Sequence, residues 1–354
     1  MRHRKWITLI FSAALLAFTL YAALDTFVLT RVYTPVTVSE ALTQSTAAQA
    51  ENTDAAQSAA SDAAAEESAE TKSSRRGKKT SSTASAETEG TSSEDSGSTS
   101  LLGFGNMSSS AVQTAVSYSD ANISVTLTTY RQYDTDIYVA DVQLSSAEYL
   151  KTAFAQNAYG KNVTDTTSSM AQSSGAILAV NGDYYGARES GYVLRSGVLY
   201  RNTAKKGQED LVIYADGSFE IITETEVSAE ELLARGAVQI LSFGPGLVAD
   251  GQIAVTADEE VGRAMASNPR TCIAQVDELH YLFIVSDGRT DSSEGLSLYQ
   301  LASFAQSLGA KTAYNLDGGG SSAMVFNGEL INNPTTNGSS IKERKVSDIV
   351  YIGY

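Results

Sequence analysis

Ala313-Tyr-Asn-Leu-Asp-Gly-Gly-Gly-Ser-Ser-Ala-Met-Val325 is the stretch on which the reading of this chain turns. A short apolar run of strand character ends at a single carboxylate, Asp317. Three glycines and two serines follow, and the chain then becomes apolar again. Glycine tolerates tight and left-handed backbone and lets N–H groups approach a ligand closely. A carboxylate at a strand end beside such a loop reads as a site. Taken alone, the same letters also make a glycine-rich hairpin with Asp317 as an ordinary turn residue.

The surrounding elements are mostly strands. Residues 297–308 form the clearest helix: Leu298, Leu301, Ala302, Ala305 and Leu308 share a face, Ser297 and Gln300 make a capping box, and Gly309 stops it. Residues 271–276 and 279–285 read as strands paired across Asp277-Glu278. Residues 237–243, 211–214, 219–223, 176–180, 123–129 and 137–144 are further strands. Residues 228–235 carry a second capping box, Ser228 with Glu231, and 146–155 is expected to be a short helix carrying Leu150 and Phe154. After the glycine loop come 323–326, an Asn327-Gly328 turn and a last strand at 346–352. There is no internal repeat. The expected class is α+β, with a mixed, strand-rich sheet core and a few packed helices.

The chain has 354 residues and a net charge of −16, unevenly composed. Arg2-His3-Arg4-Lys5 precedes an uncharged run at 6–24, about 19 residues and long enough to span a bilayer. Basic residues ahead of the run place the N-terminus in the cytoplasm. No convincing Ala-x-Ala site follows, so 1–30 reads as an uncleaved signal anchor, with a cleaved signal peptide as the alternative. Residues 31–110 are rich in Ser, Ala, Thr and Glu and read as a disordered linker with one basic island, 72–79. Residues 111–354 make the folded domain, about 240 residues and enough for one core. The expected location is extracellular, on the cell membrane. Cys272 is the only cysteine, which excludes an internal disulfide, and its alternating surroundings read as core. The acidic balance argues against a nucleic-acid partner.

Polar, glycine-flanked segments recur at strand ends: Asn181-Gly-Asp183, Asp287-Gly-Arg289 and the Asp317 loop. Asn268-Pro-Arg270 lies just before a strand. Loops on a rigid sheet are where function commonly sits. The only histidines are His3 and His280, and His280 lies inside an apolar run. A Ser-His-Asp triad on Ser321 or Ser322 and a histidine-based zinc or iron site are therefore disfavoured. What remains is carboxylate chemistry supported by arginine. No cofactor is required, while an oxygen-only Ca²⁺ or Mg²⁺ site using Asp183, Asp287 or Asp317 stays open. So does a purely structural salt bridge of Arg270 and Arg289 that orients Asp287 or Asp317.

Ala179-Val-Asn-Gly-Asp-Tyr-Tyr185, Asn268-Pro-Arg-Thr271, Val285-Ser-Asp-Gly-Arg289, Gly295-Leu-Ser-Leu298 with its helix, and Asn315 to Ser322, in that order, resemble the phosphodiester glycosidase domain family. The resemblance covers roughly 170–354. One departure is Asp183, where a second glycine is expected in many members. The resemblance implies an extracytoplasmic hydrolase that cuts the anomeric C–O bond of a sugar-1-phosphodiester, such as one of N-acetylglucosamine, in cell-surface or exopolysaccharide metabolism. It makes Asp317 the nucleophile or the base that activates water. Asp287, Asp183 and Glu294 become candidates for a second carboxylate. Arg270 and Arg289 would hold the phosphate, with Gly318, Gly319, Gly320 and Ser321 adding to the anion site. Asn181 would bind a sugar hydroxyl, and Tyr184 and Tyr185 are candidate sugar platforms. The competing readings are a non-catalytic envelope module that binds phosphate-containing glycan, and a phosphodiesterase cutting P–O.

Overall fold

Antiparallel pairing accounts for the architecture. The computed structural model describes residues 2–35, 112–113, 116–259 and 267–354. The largest sheet has nine strands, with Thr312–Asn315, Arg270–Asp277, His280–Ser286 and Thr135–Leu144 adjacent at its centre. His280–Ser286 is almost continuously apolar because both of its faces are covered, the usual reason for such a run. Ile123–Gln132, nearer the edge, becomes exposed along its second half. Two five-stranded sheets complete the core. One contains Val193–Arg195, Ala237–Leu241 and Glu209–Tyr214; the other contains Met324–Phe326, Leu178–Asn181, Asp348–Ile352 and Leu150–Phe154. Every ladder between named strands among the described residues is antiparallel.

The three sheets share one apolar cluster. Ile273, Phe283 and Tyr314 of the large sheet meet Val180, Met324 and Val350 of one small sheet and Leu211 and Leu241 of the other. The opposite face of the large sheet is covered by helix Leu298–Ser307, which buries Leu298, Leu301, Phe304 and Ala305 against Cys272, Leu282 and Ile284. Cys272 is a core residue, and burial pushes its thiol pKa up to about 12. The Ser297–Gln300 capping box is complete: Gln300 N donates to Ser297 Oγ at 3.1 Å and Ser297 N to Gln300 Oε1 at 2.9 Å. At helix Ala229–Ala234 only the Ser228 half forms, with Glu231 N donating to Ser228 Oγ.

Two expectations fail locally. Residues 146–155 make only a 3-10 turn, Ala147–Tyr149, before becoming strand Leu150–Phe154. Pairing with the last strand, Asp348–Ile352, overrides the helical spacing of Leu150 and Phe154. Conversely, Thr167–Ser173 is a helix despite its polar sequence. The Thr166 side chain caps it, and Met170 and Ala171 bury its one apolar edge.

The N-terminal segment forms helix Arg2–Phe27, which contains the run expected to span a membrane. Among the described residues, however, no helix is long and apolar enough to cross one. Residues 31–33, expected to begin the linker, instead clasp the domain: Arg31 and Val32 pair with Lys161 and Gly160, and Tyr33 N donates to Tyr159 O at 2.9 Å. The rest of the linker, 36–110, lies outside the described residues.

A buried ionic triad joins two sheets beneath the Asn181 strand end. Arg195 Nη2 contacts Asp183 Oδ2 at 2.9 Å and Asp348 Oδ2 at 2.7 Å, and all three side chains are almost fully buried. Burial, and then the neighbouring Asp183 charge, raise the Asp348 pKa despite Arg195. A carboxyl with a raised folded pKa binds its proton more tightly in the native state. Its contribution to stability therefore falls as pH rises from the ordinary aspartate value to the folded one. Removing the cation leaves two buried carboxylates without it. Arg195→Met is expected to cost about 3–5 kcal/mol at pH 8 and distinctly less at pH 5, where protonation relieves the repulsion. Urea unfolding at the two pH values measures this; an equal loss at both would contradict the account.

Candidate active site

Strand ends of two sheets meet at Asp317. Antiparallel register sets Cys272 opposite Asn315 and Arg270 opposite Ser286, so the Asp317 and Asp287 ends lie on either side of the start of the Arg270 strand. The second sheet is tied in through Asn181. Asp317 N donates to Gly182 O at 3.2 Å, and Asn181 Nδ2 donates to Asp317 O at 2.6 Å. Asn181 Oδ1 accepts from Thr271 Oγ1 at 2.8 Å. With the whole residue buried, the amide is committed to the fold. It positions Asp317 instead of meeting a sugar hydroxyl.

Asp317 is 8% exposed. Its Oδ1 accepts from Gly318 N at 2.9 Å, and its Oδ2 from Ser321 Oγ at 2.6 Å and Arg344 Nη2 at 3.0 Å. Burial raises its pKa above the ordinary aspartate value, while Arg344, Ser321 and the Gly318 amide pull the other way. Arg344 was not anticipated from sequence. It follows a polar segment with no motif, inside Lys342-Glu-Arg-Lys345, which reads as a solvated charge run. Its Nε also donates to Ser321 Oγ at 2.9 Å, and its side chain remains 41% exposed.

A second guanidinium packs against the same loop. Arg289 packs on Gly319 so closely that a Cβ there would come within 2.9 Å of Arg289 Nη2. Arg289 Nη2 donates to Asn268 Oδ1 at 2.8 Å and Nη1 to Thr336 O at 2.6 Å. Partial burial, followed by repulsion from Arg344, lowers the Arg289 pKa. Two guanidinia held near one another beside one carboxylate leave a local positive excess. That is the electrostatic signature of an anion site.

The other expected residues take different places. Asp183 is fully buried, with Oδ1 accepting from Tyr185 N and Oδ2 from Arg195 and Ser242 N. It belongs to the triad and has no surface for substrate. Asp287 accepts from Tyr138, Asn332 and the Asn333 backbone and side chain, which makes it an anchor for the 332–333 turn. Glu294 is exposed, with its backbone bridging Asp134 and Arg289. Arg270 is buried, with Nε donating to Leu296 O at 2.9 Å, and it borders Gly318. Tyr185 is buried among Phe154 and Tyr159, whereas Tyr184 is 44% exposed at a left-handed φ of 69°.

The loop amides are largely spent. Gly318 N serves Asp317, Gly319 N donates to Pro269 O at 2.8 Å, and Ser321 N donates to Gly318 O at 3.3 Å. An oxygen-only cation site fits poorly. Among the described residues no group of three or more His, Cys, Asp or Glu side chains converges. Asp183, Asp287 and Asp317 each accept from N–H or O–H donors, which turn their hydrogens toward the oxygens a cation would need.

The family model for phosphodiester glycosidase matches residues 174–353, about half of the chain. The chain is 33% identical over 208 residues to the SPbeta prophage-derived uncharacterized protein YomE of Bacillus subtilis (strain 168), covering 55% of this chain and 31% of that protein. It is 29% identical over 187 residues to the N-acetylglucosamine-1-phosphodiester alpha-N-acetylglucosaminidase of Mus musculus, covering 48% of this chain and 35% of that protein. The chain thus spans about a third of the length of these curated relatives. Among solved structures, it is similar to the catalytic domain of zebrafish N-acetylglucosamine-1-phosphodiester alpha-N-acetylglucosaminidase, auto-inhibited by its pro-peptide. The TM-score is 0.53 at 19% identity, covering 66% of this chain and 83% of that one. That last likeness concerns the fold alone.

Arg344 is the nearest counter-charge to Asp317, so Arg344→Gln should raise the Asp317 pKa further above the ordinary aspartate value. Carboxyl-carbon NMR titration of the full-length chain and the variant reads this directly. An unchanged or lowered value would mean that the pair does not control the carboxylate.

Proposed function

The chain belongs to the phosphodiester glycosidase family, and from that premise we propose that it hydrolyses the anomeric C–O bond of a sugar-1-phosphodiester. The observation that carries this reading is the buried Asp317 carboxylate set between Ser321 and Arg344, with Arg289, from the segment after strand His280–Ser286, packed on Gly319 of the loop. Arg344 and Arg289 take the phosphate by charge-assisted hydrogen bonds. Asp317 acts at the anomeric carbon. It attacks C1 itself, giving a glycosyl-enzyme that water then opens, or it removes the proton from a water that attacks C1. In either course the C1–O bond breaks and its electron pair leaves on the phosphate monoester. A phosphate monoester has a second pKa of about 6 and departs without full protonation. One carboxylate with two arginines therefore suffices. Exposed Tyr184 offers a ring for the sugar face.

The substrate we favour is a phosphate-containing surface glycan or exopolysaccharide. A non-catalytic glycan-binding module draws on one observation: both Asp317 oxygens already accept hydrogen bonds.

Incubating the full-length chain in detergent with N-acetylglucosamine-1-phosphodiesters, followed by mass spectrometry, separates these readings. Free sugar plus an intact phosphomonoester is the expected product pair. Asp317→Asn should reduce its formation by about 10³-fold or more. Sugar 1-phosphate would place the cut at P–O, and saturable binding without turnover would leave the binding module. A fully active Asp317→Asn would remove the central role.

A further inference from the structure

Away from Asp317, the segment after the N-terminal helix roofs a small cavity. Asn162 Nδ2 donates to Leu29 O at 2.9 Å, Arg31 and Val32 pair with the Gly160–Lys161 edge, and Tyr33 sets its ring 5.8 Å from that of Tyr159. Gly160 has no side chain because a Cβ there would run into Arg31 O. Beneath Tyr33 lies a cavity of about 50 Å³ that reaches Lys161, Tyr185, Arg188 and Arg201. At about 10–15 Å³ per water, that is room for a few waters or one tetrahedral oxyanion.

Two donors of this lining complete no hydrogen bond of their own. Arg201 spends Nε on Gly191 O and Nη1 on Tyr185 O and Arg188 O, while buried Nη2 finds no well-placed acceptor, with the Tyr159 hydroxyl beside the guanidinium. Tyr185, 1% exposed, has a buried hydroxyl whose proton finds no acceptor, with the Gly160 amide beside its oxygen. Buried donors without an acceptor are rare and call for an occupant. Burial raises the Tyr185 pKa, so its hydroxyl keeps a proton to donate. The ionic lining is Lys161 and Arg201 against one carboxylate, Glu189, which already meets Lys161 at 2.8 Å; Arg188 turns its guanidinium to Ser242 O and the Phe243 ring, and the Asp183 and Asp348 carboxylates behind Tyr185 are held by Arg195. A positive pocket in a chain of net charge −16 selects an anion by local field, whatever the overall charge.

We propose that Arg201 Nη2 and Tyr185 Oη form a binding site for a phosphate-like oxyanion, closed by Tyr33 of the segment that follows the N-terminal helix. The site involves none of the residues assigned to glycoside hydrolysis and does not rest on that reading. The phosphate is free in solution or terminates a lipid headgroup, since the roof directly follows a helix with an apolar run.

The test is calorimetric titration of inorganic phosphate into the full-length chain in detergent, with a second arm in which phosphatidic acid vesicles compete. Phosphate should bind, and Tyr185→Phe, which keeps the ring packing and removes only the hydroxyl, should weaken it about tenfold. Arg201→Gln should weaken it at least as much, and Tyr33→Ala should speed its release without altering Arg201. Arg344→Gln should leave this binding intact. Competition by vesicles would assign the phosphate to lipid, and its absence to free anion; both are forms of the proposal. Phosphate binding that is lost in Arg344→Gln and unaffected by Tyr185→Phe would overturn it. So would no binding at tens of millimolar phosphate, which would leave the cavity to water.

Discussion

The candidate site hangs from one buried side-chain amide. Asn181 donates to the Asp317 carbonyl and accepts from Thr271 Oγ1 and, at 3.3 Å, from Ala323 N. Those three partners stand at the two ends of the glycine loop and at the start of the strand beside it. Asn181 itself closes a strand of a different sheet. A planar amide presents a donor and an acceptor from one rigid group. A carboxylate here would face the Asp317 carbonyl with a second acceptor, and an apolar side chain would orphan three buried groups at about 1–3 kcal/mol each. The junction between sheets is thus held by the residue that also fixes the backbone from which the Asp317 carboxylate projects.

Charge balance explains why that carboxylate is tolerated where it is. Asp317 is nearly buried, which by itself disfavours its ionised form, and Arg344 on the exposed side supplies the compensating charge. Adding Arg289 leaves one positive charge in excess at the carboxylate itself, with buried Arg270 a further cation behind Gly318. On the proposed reading a phosphodiester, with its one negative charge, would balance that excess. A phosphomonoester above a second pKa of about 6 carries nearly two. The same cluster then holds one negative charge too many, with Asp317 among the repelling groups. An arrangement that is balanced for a diester and unbalanced for the monoester favours binding the one and releasing the other.

Much of this was legible in the chain. The strand ends at Asn181, Asp287 and Asp317 were visible because an apolar run stopping at a polar, glycine-flanked segment is a local signal. The helix over Leu298–Ser307 carried both its apolar face and its cap. What sequence could not assign was direction. Asn181, Asp183 and Asp287 all lie at strand ends, yet their side chains turn into the fold, toward Asp317 O, Arg195 and the 332–333 turn. Side-chain direction at a strand end depends on the twist and register of neighbouring strands, which local composition does not encode. Arg344 shows the converse: it arrives from a loop without pattern and is placed by the Val346 bridge to Asp165 and its own N–H bond to Gly320 O. The 146–155 segment was misread for a similar reason, because its partner strand lies at the far end of the chain.

The glycine run also means something different in three dimensions. As sequence it suggests a cradle of N–H groups for an anion. In the fold those N–H groups mostly bind Asp317, Pro269 and the loop itself. What the glycines supply is absence. Gly319, at φ 62°, leaves the space that Arg289 fills, and a Cβ on Gly320 would run into Thr336 Oγ1. Thr336 O is also the acceptor that steadies Arg289. The loop therefore delivers cations to the site by making room for them. A guanidinium brings full charge and two-pronged geometry where amides would bring partial charge. For a substrate whose reacting bond ends in a phosphate, that substitution of side-chain cations for backbone dipoles is the stronger form of recognition.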